Sequence, residues 1–251
     1  MTRLIGHRGG RNIWAENSLG GFRNVLNLGV DAVELDVHLS HDNEIMVMHD
    51  PLLDRTTNGR GSLRNMTAEA LGQLTLNDTL GETIPTLAQV LDVFAPSKLE
   101  LEIEFKLGAN GELYPGVIEK VVGLVEARRM SERVVLTCFI PEVLQEVRSK
   151  APAIRRLASL DRRSCEFFGG VDKAVERFSG VADTLAVEQS FLGLTLDRFV
   201  DMVGAKRLGV WVPNTPQDIA FWLTKPVNQI TTDRPDLGVM LRAQQVKGGL
   251  A

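Results

Sequence analysis

Two short stretches carry carboxylates at a spacing that implies work. In "AVELDVHLS" Val33, Leu35, Val37 and Leu39 alternate with Glu34, Asp36 and His38. On an extended strand alternate side chains face opposite ways, so the acids share one face and the aliphatics the other. "LELEIEFKL" repeats the arrangement, with Leu99, Leu101, Ile103 and Phe105 opposed to Glu100, Glu102, Glu104 and Lys106. Carboxylates facing inward repel one another unless a cation or a proton intervenes, because an uncompensated buried charge is costly. A hard divalent ion, Mg2+ or Ca2+, suits an oxygen-rich set with few histidines and no thiolate better than Zn2+ does. Ion pairing with Arg8 and Lys106 alone, without metal, is the competing reading.

Two histidines each follow an apolar run and precede turn residues, His7 in "LIGHRGG" and His49 in "IMVMHDP". An imidazole titrates near neutrality, so a pair beside an acid cluster reads as a general acid and a general base. Arg8 can fork onto phosphate oxygens, and the glycines behind it are expected to let backbone approach a ligand. Together these residues describe a site for a phosphate ester. His38 shares the parity of Glu34 and Asp36, whereas His41 falls in a polar turn and is expected to be solvated.

The elements that must position these residues alternate. Apolar runs bounded by turn residues interleave with amphipathic segments, the pattern of repeated β-α units around a parallel sheet. Nine strands are predicted, at "RLIGH", "AVELDV", "EIMVMHD", "LELEIEFK", "VVLTCF", "IRRLASL", "TLAVEQ", "RLGVWV" and "NQITTD". The second and third are joined by "HLSHDNE", too short for a crossover helix, so they must run antiparallel. The remainder predict an α/β fold, a TIM-type (β/α)8 barrel, with active-site residues at the carboxyl ends of its strands. Helices are predicted within "SLGGFRNVLNLG", "TAEALGQL", "TLAQVLDVF", "YPGVIEKVVGLVEARR", "PEVLQEVRSK", "TLDRFVDMVGAK" and "PQDIAFWLT". A single domain over 1–251 is expected, with a polar inserted subdomain at roughly 51–85, after the second histidine.

A chain of 251 residues, 44% hydrophobic and 24% charged, can bury a full core. Its net charge of -4 excludes a broad nucleic-acid or anionic-membrane footprint, so an anion must be met locally. Cys138 and Cys165 have no metal-ligand spacing and are read as inert thiols. No leader and no bilayer-length apolar run is read, which predicts a cytoplasmic protein without stable membrane insertion.

With these residues in place, the chain resembles the glycerophosphodiester phosphodiesterase family. The resemblance runs nearly end to end, through "GHRGG", "AENSLGGFRNVLNLGVDAVELDVHLSHDNEIMVMHDPLLDRTTNGRG", "IPTLAQVLD", "IEFK", "GVWVPN" and "ITTDRPD". It implies a TIM-type barrel and hydrolysis of a glycerophosphodiester, a small-molecule substrate, to glycerol 3-phosphate and an alcohol. It also implies one divalent cation on Glu34, Asp36 and Glu104, acid/base roles for His7 and His49, and phosphate contacts from Arg8 and Lys106. Trp211 is a candidate wall for the glycerol or the leaving group, or else a core tryptophan. Glu16 and Asn17 are expected to support the site. Glu102 stands where many members carry an uncharged residue, and Glu188 where relatives often present histidine; with Glu16 these are additional candidates. Attack by water and attack by the substrate's own 2-hydroxyl, through a cyclic phosphate, both fit. Rival readings are a phosphodiesterase for another sugar- or lipid-linked diester, in the manner of a lysophospholipase D, and a catalytically silent barrel that binds a phosphometabolite. A homo-oligomer is compatible with the sequence.

Overall fold

The computed structural model describes residues 1–248. Eight parallel strands close into a barrel: β1 (Arg3–Gly6), β2 (Ala32–Leu39), β4 (Glu100–Phe105), β5 (Val134–Cys138), β6 (Arg155–Leu160), β7 (Thr184–Glu188), β8 (Leu208–Trp211) and β9 (Gln229–Thr232). β1 pairs with both β2 and β9, which closes the ring. β3 (Ile45–Val47) runs antiparallel to the upper half of β2, with Val37 opposite Val47 and Leu39 opposite Ile45. The short polar connection required that direction.

Alternation decides which face of each strand is dry. Val33, Leu35 and Val37 of β2 and Leu101, Ile103 and Phe105 of β4 are almost wholly buried in the main core beneath the helices. The opposite parity carries Glu34, Asp36, Glu102 and Glu104 into the lumen, where Asp36 stands in register with Glu104. α1 (Leu19–Val25) and α3 (Leu87–Phe94) cover this side, with Phe22 and Phe94 meeting edge to face at 5.8 Å. α3 starts on a capping box in which Thr86 and Gln89 satisfy each other's backbone donors.

The segment after β3 contains the one-turn helix α2 (Ala68–Leu71) and carries a separate apolar cluster. Leu53, Leu63, Leu71, Leu76 and Ile84 pack there on Met46 and Met48. It is tied to the barrel by Glu82, whose carboxylate accepts from the Gly20 amide at 2.7 Å at the start of α1. The remaining helices are α4 (Val117–Ala127), α5 (Pro141–Lys150), α6 (Arg162–Phe167), α7 (Val171–Phe178), α8 (Gln189–Val203), α9 (Pro216–Leu223) and α10 (Pro235–Gly248).

The sequence reading assigns no element to α6, α7 or α10, and it starts α8 at Thr195 rather than Gln189. α6 is a short helix capped by Asp161, too brief to show a period. α10 follows Pro235 at once, and only its side chains up to Gln245 are described; residues 249–251, the end of the predicted domain, lie outside the described residues. Among the described residues no helix is long and apolar enough to cross a membrane. Both cysteines are free and buried, and burial pushes the thiols up to about 12 at Cys138 and about 11 at Cys165, as inert thiols require.

Truncating Phe94 should remove the ring that seals α3 on α1. Phe94→Ala is expected to lower unfolding stability by about 3–5 kcal/mol in urea titrations; a loss under about 1 kcal/mol would show that the two helices repack without it.

Candidate active site

On the lumenal faces of β2 and β4, Glu34, Asp36 and Glu104 each offer an oxygen, and these atoms lie within 4.8 Å of one another. Glu34 and Asp36 are buried, and Lys106 reaches both Glu104 (2.9 Å) and Asp36 (3.6 Å). Arg8 approaches from β1, its Nε 3.3 Å from Asp36 and its Nη1 donating to Glu16 at 3.1 Å. Three carboxylates thus face two cations. Burial first, and then the charges of Asp36 and Glu104, push Glu34 well above the usual carboxylate range. Burial raises Glu104 as well. Burial also opposes ionisation of Asp36, but Lys106 and Arg8 outweigh it and hold this acid below its usual range.

A divalent cation fits this donor set. Glu34 Oε1 and Asp36 Oδ1 are buried and have no hydrogen-bond partner, as have Asn17 Oδ1 and Arg8 Nε. Orphaned buried acceptors are expensive, and a cation seated among them satisfies two at once. Glu102 is not part of this group: two residues deeper on β4, it accepts from Gln229 Nε2 at 2.8 Å across the lumen.

The histidines flank the cluster, and each is held by a carboxylate that sequence reasoning did not single out. His7 Nδ1 donates to Asp233 Oδ1, and its Nε2 lies 3.8 Å from Glu34. Asp233 is fully buried at the end of β9; Asn214 both donates to it (2.7 Å) and accepts from its amide (2.9 Å), and Arg11 pairs with it at 2.9 Å. A carboxylate accepts here, so Nδ1 of His7 carries a proton and Nε2 is turned toward the site. His49 Nδ1 donates to Asp50 at 2.6 Å. Burial, together with Lys106 and Arg8, holds His49 down to about 4, a neutral imidazole at pH 7.

Asp50 in turn binds Arg55, which forks onto both oxygens of Glu16 at 2.7 and 2.8 Å. Glu16 thereby links the inserted segment to Arg8, and Asn17 donates to Asp36 at 2.9 Å. His38 is buried; its Nε2 donates to the His49 carbonyl at 3.0 Å and its Nδ1 accepts from Tyr114. His41 is exposed. The signals for the missed acids were present, since Asp50 adjoins His49 in "HDP" and Asp233 ends the strand that pairs with β1. Neither spacing alone shows that a carboxylate meets an imidazole.

Arg8 adopts a left-handed backbone, with φ 50° and ψ 36°, which costs a non-glycine residue about 1 kcal/mol or more. Its amide is thereby aimed at Glu34, at 3.0 Å. The glycines that follow serve the turn, not a ligand. Gly9 and Gly10 have φ of 80° and 98°, and a Cβ on them would come within 3.1 Å of Phe22 and of Pro235. The expected approach of their backbone to substrate is therefore replaced by packing within the loop.

The cavity above the cluster holds about 280 Å³. Its charged side is His7, Arg8, Glu34, His49, Glu104 and Lys106; its other side is apolar, with Phe139, Leu157, Ala186 and Trp211. Trp211 is partly buried and lines this cavity, so it is not the core tryptophan of the alternative reading; its Nε1 donates to the Ala186 carbonyl and its ring meets Phe139 edge to face. Glu188 does not line the cavity. Helix α8 begins directly after it, and its carboxylate accepts from the Ser190 and Phe191 amides at 2.9 Å as the cap.

Fold and site thus define a TIM barrel with an acid-rich mouth that also holds an arginine and a lysine and is flanked by two histidines. Residues 7–237 match the model of the glycerophosphoryl diester phosphodiesterase family, and the chain belongs to that family. A glycerophosphodiester phosphodiesterase of Caldanaerobacter subterraneus is 35% identical over 159 residues, 61% of this chain and 65% of that protein. One of Bacillus altitudinis is 34% identical over 55% of this chain and 58% of its own length. The matched part thus spans somewhat under two thirds of each of these relatives. A solved structure from Agrobacterium tumefaciens, provisionally assigned to the same enzyme class, is 28% identical and superposes with a TM-score of 0.89, covering 98% of this chain and 99% of that one. The fold is shared with a phosphodiesterase of Oleispira antarctica in complex with its product sn-glycerol 3-phosphate, at 22% identity and a TM-score of 0.85, with 96% of each chain covered.

Repulsion within the carboxylate cluster sets an expectation for stability. Glu34→Gln should raise the melting temperature of the metal-free protein by about 2–5 °C, the size of a relief of roughly 1 kcal/mol. Added Mg2+ or Ca2+ should stabilise the wild type and leave the variant unmoved. A metal-free variant that melts below the wild type would show the carboxylates to be satisfied by Arg8 and Lys106 alone.

Proposed function

We propose that the chain hydrolyses glycerophosphodiesters to glycerol 3-phosphate and an alcohol, with a divalent cation on Glu34, Asp36 and Glu104. The observation that carries this reading is the convergence of two carboxylate-held imidazoles on an acid cluster whose buried oxygens lack partners. Membership of the family supports it, and sn-glycerol 3-phosphate, held by the Oleispira barrel, is the product it assigns.

The cation, when bound, supplies Lewis-acid polarisation of a phosphate oxygen. Arg8 and Lys106 line the cavity and place positive charge where the phosphoryl oxygens gather negative charge in the transition state. His7 turns its Nε2 toward the cluster, and Asp233 on Nδ1 stabilises the imidazolium form. His49, backed by Asp50, is the second proton carrier. One of the pair, entering with Nε2 unprotonated, withdraws a proton from the attacking hydroxyl, and the other, entering with a proton on Nε2, gives it to the departing alkoxide. Asn214 and Arg11 keep the Asp233 carboxylate ionised and oriented, so the His7 ring cannot turn away. The attacking hydroxyl is that of water or the 2-hydroxyl of the glyceryl group.

The binding-only rival lacks a reason for two histidines each fixed by its own carboxylate. Affinity for a phosphate needs cations, not paired proton carriers.

Glycerophosphocholine, glycerophosphoethanolamine and glycerophosphoglycerol, assayed with and without EDTA, test the reading. Release of glycerol 3-phosphate should vanish with EDTA, return with Mg2+ or Ca2+, and fall by about 10² to 10⁴ in His7→Ala. Asp233→Asn should lower kcat by at least about 100-fold with KM little altered, since it removes a proton-positioning partner and no substrate contact. Turnover that survives EDTA, or that His7→Ala leaves intact, would overturn the mechanism.

A further inference from the structure

His49 stands where regular structure has already ended. β3 stops at Val47, and the backbone bond that follows runs from the Met48 amide to the Asp36 carbonyl, at 3.0 Å. The ring of His49 is steadied by Asp50, but Asp50 lies in the same irregular segment. What fixes the backbone beneath the ring is a side chain, because His38 Nε2 donates to the His49 carbonyl at 3.0 Å.

His38 is itself placed with little freedom. It shares the parity of Glu34 and Asp36 on β2, stands opposite Met46 of β3 and is wholly buried. Its Nδ1 accepts from the Tyr114 hydroxyl at 2.8 Å, and the two rings meet edge to face with centroids 5.7 Å apart. Tyr114 belongs to the connection between β4 and α4. Arg64, from the inserted segment, lies over the Tyr114 ring at 5.8 Å and is held by the Ser40 carbonyl and by Asn43. Three separate stretches of chain therefore converge on one imidazole, yet neither His38 nor Tyr114 is among the residues that line the cavity. With both ring nitrogens engaged inside the protein, His38 has no proton to exchange with substrate; it fixes the atoms that it binds.

We propose that His38, braced by Tyr114, is a positioning residue for the reaction: it fixes the His49 backbone and so sets where the His49 imidazole stands beside the carboxylate cluster. A proton carrier works only within hydrogen-bond reach of the atom it serves, and a misplacement of about 1 Å can cost about 100-fold in rate. The role rests on the phosphodiesterase reading above for the reaction that is served, and on the hydrogen bonds alone for the bracing.

Kinetics with Mg2+ present and NMR of the histidine rings test it together. His38→Leu removes both bonds and fills the space, so it should lower kcat for glycerophosphodiesters by about 10- to 100-fold, with KM and Mg2+ affinity within about three-fold of wild type. His38→Gln, whose amide N–H can reach the same carbonyl, should recover kcat to within about five-fold of wild type. Tyr114→Phe keeps the ring and loses only the hydroxyl; it should fold even if His38→Leu does not, and should lower kcat by about three-fold or more at unchanged KM. In proton–nitrogen spectra of the imidazoles, the His49 signals should shift in His38→Leu and return toward their wild-type positions in His38→Gln, while those of His7 stay in place. Wild-type kcat in His38→Leu overturns the brace, as do equal losses in the leucine and glutamine variants or wild-type kcat in Tyr114→Phe. A wild type that hydrolyses no glycerophosphodiester removes the catalytic reading, and the His49 signals then decide the brace alone: moved in His38→Leu they support it, and unmoved they overturn it.

Discussion

Three carboxylates sharing a few ångströms of low-dielectric space, with two side-chain cations to answer them, are the constraint to which the rest of the molecule is fitted. Each like-charged neighbour makes the next ionisation harder, which is why Glu34 is driven up while Asp36, nearest the cations, stays charged. An arrangement this unfavourable persists only where the surrounding fold holds it in place. The register of β2 and β4 does so by setting Asp36 beside Glu104, with the aliphatic faces of both strands locked under the helices. The strained backbone at Arg8 belongs to the same arrangement, since it directs an amide to Glu34 as well as a guanidinium toward Asp36.

The elements around the cluster divide the labour between fixing and admitting. Asp233 and Asn214 tie the last barrel strand and the loop after β8 to the first histidine, so closing the barrel and orienting the imidazole are one event. On the opposite side the inserted segment reaches the site through Arg55, Asp50 and Glu16. That network is more exposed, and exposed ion pairs contribute little to stability. It serves to hold His49 and Arg8 at a set separation. Between these supports the cavity presents a charged wall and an apolar wall, a division already present in the parity of the strands.

Much of this was legible in the sequence because period-two alternation is a strong signal when one face is aliphatic and the other acidic. β2 and β4 announce both the barrel and the cluster, and the short link from Leu39 to Ile45 forces the antiparallel leg that brings His49 to the mouth. Other features depend on three-dimensional closure, which spacing does not encode. Asp233 lies 226 residues from His7 and meets it only because the last strand pairs with the first. Glu188 was a candidate because relatives often present histidine there, but the absence of a loop before α8 turns it into a cap. Gly9 and Gly10 looked like ligand-facing backbone and are instead consumed by packing on Phe22 and Pro235. Helix α7 went unassigned although Val171, Ala174, Val175 and Phe178 stand at helical spacing, whereas α6 was too short to declare itself.

Diffraction from crystals grown with Mn2+ shows whether the cluster seats a cation. Mn2+ shares the oxygen preference of Mg2+ and Ca2+ and scatters anomalously. An anomalous peak is predicted within coordination distance, about 2.0–2.6 Å, of oxygens from Glu34, Asp36 and Glu104, with Lys106 moved off the carboxylate it now holds. A cluster that stays closed on Arg8 and Lys106, with no peak at saturating Mn2+, would contradict the account and leave these acids as internal ion pairs.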